Sequence, residues 1–171
     1  MKQVYSREWP QFFTATIQEW KHLLKDDKYK SIIITTLKFL VNEGNVAVNG
    51  FVIMSNHLHI IWQSKDSDSI QKIQNRFIKH TSKEFKKQLQ KDEKLNEYEV
   101  KAVDRKYSFW QRNSLNIELF SQAVFKQKLN YIHCNPVKAG LCNLPEEYRF
   151  SSALFYEKGI DEFGFLEHYT G

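Results

Sequence analysis

The sequence is poor in several features that would assign a chain to a large class. It contains only two cysteines, Cys134 and Cys142, among 171 residues. Such a pair makes neither a disulfide framework nor a CxxC metal knuckle, so a reducing cytoplasm is the expected setting. No apolar run approaches the ~20 residues of a membrane-spanning helix, and no membrane partner is expected. Residues 1–10 carry charges but no apolar core of a secretory signal. Internal repeats, low-complexity tracts and long linkers are absent, which excludes solenoids and repeat arrays.

What is present is the composition of a folded domain: 42% hydrophobic and 15% aromatic residues. The length suits one domain, residues 1–171, able to bury a core without covalent staples. The net charge of +5 is compatible with an acidic polymer as partner but does not require one.

Residue periodicity gives the elements. Residues 12–20 are rich in Phe, Thr, Ile and Trp and predict a first strand. Residues 28–42 place Ile33, Leu37, Leu40 and Val41 at helical spacing, and Glu43-Gly44-Asn45 ends that helix. Residues 45–55 and 57–63 predict two strands whose short link makes an antiparallel hairpin. Residues 67–90 predict a long helix with Ile70, Ile73, Phe77, Phe85 and Leu89 on its apolar face. Opposite that face run Lys72, Arg76, Lys79, Lys83 and Lys86. Such a stripe is ordinarily solvated surface; its alternative is a face that tracks phosphates.

Residues 92–106 are charged and predict a loose connection. Residues 114–119 predict a fourth strand, and 121–135 a helix with Phe125, Leu129 and Ile132 as its core stripe. Pro136 is expected to end or kink that helix at Asn135. Residues 147–156 are expected to pack back on the domain. The order β-α-β-β-α-β-α predicts an α+β, ferredoxin-like four-stranded antiparallel sheet. Its helices would lie on one face, leaving the other free for a site, and a C-terminal helix would follow.

The motif with most chemistry in it is Asn56-His57-Leu58-His59. Alternation along a strand points His57 and His59 the same way, with Leu58, Ile60 and Trp62 opposite them. Two imidazoles at i and i+2 can grip one metal ion from one side, and an apolar face opposite would leave them accessible. A strand histidine is also often no more than a half-exposed polar residue, so the pair alone does not establish a metal site. Tyr131 lies about 100° around its helix from the core stripe, and Asn135 shares its face one turn later.

Met54-Ser55-Asn56-His57-Leu58-His59 resembles the His-hydrophobic-His motif of the HUH single-tyrosine transposases. Tyr131-Ile132-His133-Cys134-Asn135-Pro136-Val137-Lys138-Ala139-Gly140 is similar to the Tyr-Ile-x-x-Asn-Pro-Val-(Arg/Lys)-Ala-Gly block of their REP-associated branch. Phe109-Trp110-Gln111 and Glu147-Tyr148-Arg149-Phe150-Ser151-Ser152-Ala153 add to the resemblance, which spans about residues 10–156. Ser55 departs from the proline of many relatives, and Lys138 keeps the charge of arginine without its bidentate fork.

The resemblance implies cleavage and rejoining of single-stranded DNA near a hairpin. By position, Tyr131 matches the nucleophile, His57 and His59 the metal ligands, and Asn135 a third polar ligand. Mg²⁺ or Mn²⁺ is the implied ion, although imidazole ligands by themselves also permit zinc. Single-stranded or hairpin DNA is the implied partner, with nucleoid association when it is bound, and a homodimer is left open. Binding of such DNA calls for basic grooves and aromatic platforms. The candidates are Arg76, Lys79, Lys83, Arg105, Trp110 and Arg112. Two other functions share these residues: a non-catalytic hairpin-binding protein that keeps the fold, and a metal-dependent hydrolase using water.

Overall fold

The computed structural model describes residues 9–65 and 69–171. Its centre is a four-stranded antiparallel sheet. β1 (Gln11–Thr16), β2 (Val46–Ile53), β3 (His57–Ser64) and β4 (Leu115–Glu118) stand in the order β2-β3-β1-β4. α1 (Asp27–Asn42) joins β1 to β2, and α2 (Ile70–Lys91) precedes β4. α3 (Gln122–Lys138) and the short α4 (Ala153–Lys158) complete the helices. The element order and strand order are those of the expected ferredoxin-like arrangement.

Local chemistry sets the boundaries. Asp26, Ser69 and Ser121 cap α1, α2 and α3, each side chain accepting from a backbone N–H in the first turn. Ser67, the expected start of α2, lies outside the described residues. β1 is shorter than expected, because the chain turns after Ile17 with Glu19 (φ 55°) and Trp20 (φ 57°) in the left-handed region. The charged stretch 92–106 is not loose. Tyr98 is buried within it, and Glu99 bridges Tyr107.

Alternation sorts the core into two layers. Phe13, Ala15, Leu58, Ile60 and Trp62 face α1 and α2, joined by Ile33, Leu37, Phe77 and Phe85. Phe12, Val52, Met54 and Ile61 face the other way, against Phe125, Leu129 and Ile132 of α3. The second face is therefore not bare, as the sequence reading expected: α3 lies across it. β2 carries Gly50 where α3 crosses, and a Cβ there would stand 2.7 Å from Leu129 Cδ1. The absence of a side chain at Gly50 sets how closely helix and sheet approach.

α3 does not end where Pro136 was expected to end or kink it, but continues to Lys138. Proline's bias against helical geometry at the preceding residue is outweighed by burial of Ile132, His133 and Pro136 in the helix's last turns. The end comes at Gly140 (φ 73°), with Gly140 N–H donating to Val137 O and Leu141 N–H to Pro136 O at 2.9 Å. This is a Schellman termination, which explains the Pro-Val-Lys-Ala-Gly spacing. Asn135 consequently stays in helical register with Tyr131.

His133 and the segment after α3 fasten the helix to β2. His133 Nε2 lies 2.8 Å from Ser152 Oγ, which accepts from Phe51 N–H at 3.0 Å. Tyr148 donates to Ile53 O at 2.6 Å, and Tyr156 to Asn49 O at 2.5 Å. Among the described residues no helix is long and apolar enough to cross a membrane.

Candidate functional site

Register places the histidines among specific neighbours. Thr16 pairs with His57 and Thr14 with His59 on β1, while Val52 pairs with His59 on β2. These side chains share the sheet face that α3 covers. His59 is therefore buried, at 6% exposure, and His57 is half-buried. The expectation that both would lie on an open surface fails for His59, because the tyrosine helix docks over it.

Each imidazole is held through Nδ1. His57 Nδ1 lies 2.7 Å from Asn56 Oδ1, and His59 Nδ1 lies 2.7 Å from Thr14 Oγ1. With Nδ1 engaged, the Nε2 atoms have no protein partner among the described residues. Burial lowers the pKa of both rings. His59 falls to about 3 through burial first, then through the charges of His57 and Lys128. Both are neutral at neutral pH, which is the form that ligates metals.

Tyr131 meets this pair within the same chain. Its ring centroid is 5.6 Å from that of His59 and 6.3 Å from that of Phe12, which stacks on His59 at 5.1 Å. The tyrosine is 44% exposed while its neighbours Leu129 and Ile132 are buried. One side of the phenol thus rests on the histidine cluster and the other faces solvent. Two ammonium groups flank it: Lys128 Nζ is 5.7 Å from the ring centroid and Lys138 Nζ is 6.0 Å from it. Asn135 lies one helical turn beyond Tyr131, toward the C-terminus. Among the described residues, no group of three or more His, Cys, Asp or Glu side chains could hold a metal ion.

The structure does not bring the expected DNA-contacting residues to this site. Trp110 is 4% exposed, and its indole N–H donates to Thr81 Oγ1 at 2.9 Å. It is a core residue with no open face for a base. Arg76, Lys79 and Lys83 lie on α2, whose apolar side packs on the Leu58/Ile60/Trp62 face of the sheet. They point away from the sheet, a full layer removed from Tyr131, and Arg76 is ion-paired with Glu43. Arg105 and Arg112 both pair with Asp104, at 3.3 and 2.7 Å. They line an open groove shared with Trp20 and Gln111. Gln111 N–H donates to Thr16 O, so one wall of that groove is tied to the His57 end of β1.

Three site residues were not among those the sequence singled out. Phe12 and Thr14 meet His59 only because β1 pairs with β3 in this register. Lys128 could have been found, since it lies one helical turn before Tyr131.

No protein-family model and no curated protein matches the chain. Solved structures do. A REP-associated tyrosine transposase, solved bound to a REP hairpin, matches with a TM-score of 0.64 at 18% identity, covering 100% of this chain and 93% of that one. A protein from Deinococcus radiodurans R1, described as a candidate transposase, matches with a TM-score of 0.50 at 10% identity, covering 77% of this chain and 95% of that one. At these identities the likeness is one of architecture, and the chain has the α+β fold of these transposase structures.

Proposed function

We propose that the protein is a tyrosine DNA nickase and strand transferase acting on single-stranded DNA next to a hairpin. The observation that carries this reading is the contact of Tyr131 with His59 in one chain, beside two imidazoles whose Nε2 atoms are open. A packing tyrosine would bury its ring. Here a half-exposed phenol is held over neutral histidines, with two lysines flanking it.

In the proposed reaction Tyr131 Oη attacks the scissile phosphorus in line. The Oη–P bond forms as the P–O3′ bond breaks, and the proton the phenol gives up is, in net, the one the 3′ oxygen gains as it leaves as a hydroxyl. The tyrosine keeps a 5′-phosphodiester link, so the bond energy is conserved and a second 3′-hydroxyl can reverse the step. A phenol with an ordinary pKa near ~10 is a weak nucleophile at neutral pH, so positioning and charge neutralisation must supply much of the acceleration.

The donor set fits a divalent ion. Two neutral imidazoles fixed through Nδ1 are a common half-site, and Asn135, one helical turn from Tyr131, is proposed as the third donor, through its amide oxygen. Phosphate oxygens and water would fill the remaining positions. Bound Mg²⁺ or Mn²⁺ would neutralise charge on a non-bridging phosphate oxygen. Thr14 and Asn56 hold the two rings in the orientation that exposes Nε2, and Phe12 fixes the plane of His59 by stacking. Hairpin DNA as substrate is proposed from the likeness to the transposase solved with a REP hairpin. Arg105 and Arg112 are proposed as contacts for the strand beyond the site, through the groove tied to β1.

The test is a covalent adduct. Labelled oligonucleotides covering each inverted repeat found in the DNA beside the gene, with Mn²⁺, should include one that leaves DNA attached to the wild-type protein and none attached to Tyr131→Phe. No adduct with any flanking repeat would reject the reading. Cleavage that survives Tyr131→Phe would instead favour hydrolysis by water.

A further inference from the structure

Lys128 is the cation that the proposed reaction leaves unexplained. It sits on the first turn before Tyr131, half-buried, with Nζ 5.1 Å from the Phe12 ring centroid and 5.7 Å from that of Tyr131. Phe12, His59 and Tyr131 form a triangle of rings, and the ammonium caps the Phe12–Tyr131 edge. Its charge reaches His59, where it disfavours the protonated ring. Among the described residues no carboxylate pairs with it, so what singles it out is its place against Phe12 and Tyr131.

An ammonium over two aromatic faces is attracted by the rings, but they supply no anionic acceptor for its N–H groups. The site is instead a cationic corner without its anion. Lys128 Nζ and the open Nε2 atoms of His57 and His59 border the same ring cluster as the tyrosine hydroxyl. A phosphodiester lying against this ring cluster would have the lysine, the histidines and the phenol as its neighbours.

We infer that Lys128 is a catalytic residue that binds a non-bridging oxygen of the scissile phosphate and holds it against Tyr131. The inference rests on the proposed function. In the ground state the ammonium neutralises one phosphate charge. During attack that oxygen gains charge, and a donor already in place stabilises it. Lys138, two turns after Tyr131, has its Nζ 6.0 Å from the same ring and is left to the neighbouring phosphate.

The experiment pairs two substitutions in the protein with one in the DNA. Lys128→Met keeps the aliphatic stem over Phe12 and removes the charge; Lys128→Arg keeps the charge. Both should melt as wild type does, and single-turnover adduct formation is then measured at saturating DNA. Lys128→Met should be slower by about 100-fold, the scale for losing one preorganised donor. Lys128→Arg should recover most of that loss. A methylphosphonate at the scissile position removes the anionic oxygen and should slow wild type far more than it slows Lys128→Met. Equal slowing of the two proteins, or coupling only when the methylphosphonate is at an adjacent linkage, would overturn the assignment. So would a Lys128→Met rate within about threefold of wild type, since loss of a preorganised donor should cost far more. Failure of wild type to form any adduct would instead reject the proposed function beneath it.

Discussion

Gly50 gives the sharpest test of how the site is assembled. A methyl group at this position would meet Leu129 Cδ1 at 2.7 Å, Ser152 Oγ at 3.4 Å and Ile132 Cδ1 at 3.5 Å. The first distance is inside van der Waals contact, so Leu129 or the whole of α3 must move. Overpacking of this kind costs about 1–3 kcal/mol, partly offset by the ~0.4–1 kcal/mol that Gly→Ala gains by restricting the unfolded chain. Gly50→Ala should therefore lose about 1 to 2 kcal/mol. Leu129→Ala should lose about 2–3 kcal/mol, the low end for a buried leucine because its side is partly open. In the double variant the added methyl occupies space that the leucine vacated. The combined loss should then fall short of the sum by about 1 kcal/mol or more, a coupling expected only of residues in contact. Urea unfolding followed by tryptophan fluorescence measures all four proteins. Additivity within about 0.5 kcal/mol would refute the docking of α3 on β2 described here. The same shift has a functional reading. Where α3 yields rather than the tip of Leu129, Tyr131 moves with the helix, and adduct formation should then fall more than the lost stability explains, since misplacement by ~1 Å can cost about 100-fold.

The other predictions concern the histidines and the site's composition. Thr14→Val removes the Nδ1 partner of His59 while keeping shape, and Mn²⁺ affinity by calorimetry should drop about 10- to 100-fold; unchanged affinity would mean Thr14 does not orient the ring. Because Tyr131 meets His59 of its own chain, mixing His57→Ala with Tyr131→Phe protein should restore no adduct, and rescue would show sites shared between subunits. Burial lowers the pKa of His133 to about 4 from its usual 6.5. The unfolded chain then binds the extra proton first as pH falls, so stability declines between pH 6.5 and 4 and levels below that. His133 alone should contribute on the order of 3 kcal/mol to this loss, and His133→Gln should flatten the slope measured by urea unfolding. Asp92 is held near 2 by hydrogen bonds from Lys28 and then Tyr29. Its contribution is present above pH 4 and fades as pH falls toward 2, so Asp92→Asn should lessen the loss of stability in that acid range.

Sequence alone determined the elements whose signals are local. Strand alternation put His57 and His59 on one face and Leu58, Ile60 and Trp62 on the other, and the structure keeps that division. Helical spacing set Tyr131 beside the core stripe rather than in it, where it is found half-exposed. The β-α-β-β-α-β order sufficed for the sheet, because short connections and right-handed crossovers leave few alternatives. At the end of α3 a local signal was overruled: Pro136 expresses only a bias against helix, and burial of the last turns overcame it.

Tertiary structure decided what touches the site. Composition and spacing leave Trp110 open between a base-stacking platform and a core aromatic, and the α2 cations open between a phosphate-tracking face and solvated surface. The fold buries the first against Thr81 and carries the second to the opposite layer from Tyr131. No local pattern encodes the pairing of Thr14 with His59, the stacking of Phe12, or the closeness that Gly50 allows between β2 and α3. Those contacts join residues far apart in the chain, and only the register of β1 on β3 and the docking of one helix fix them. The sequence thus supplied the reactive groups, and long-range packing brought the tyrosine to the histidines.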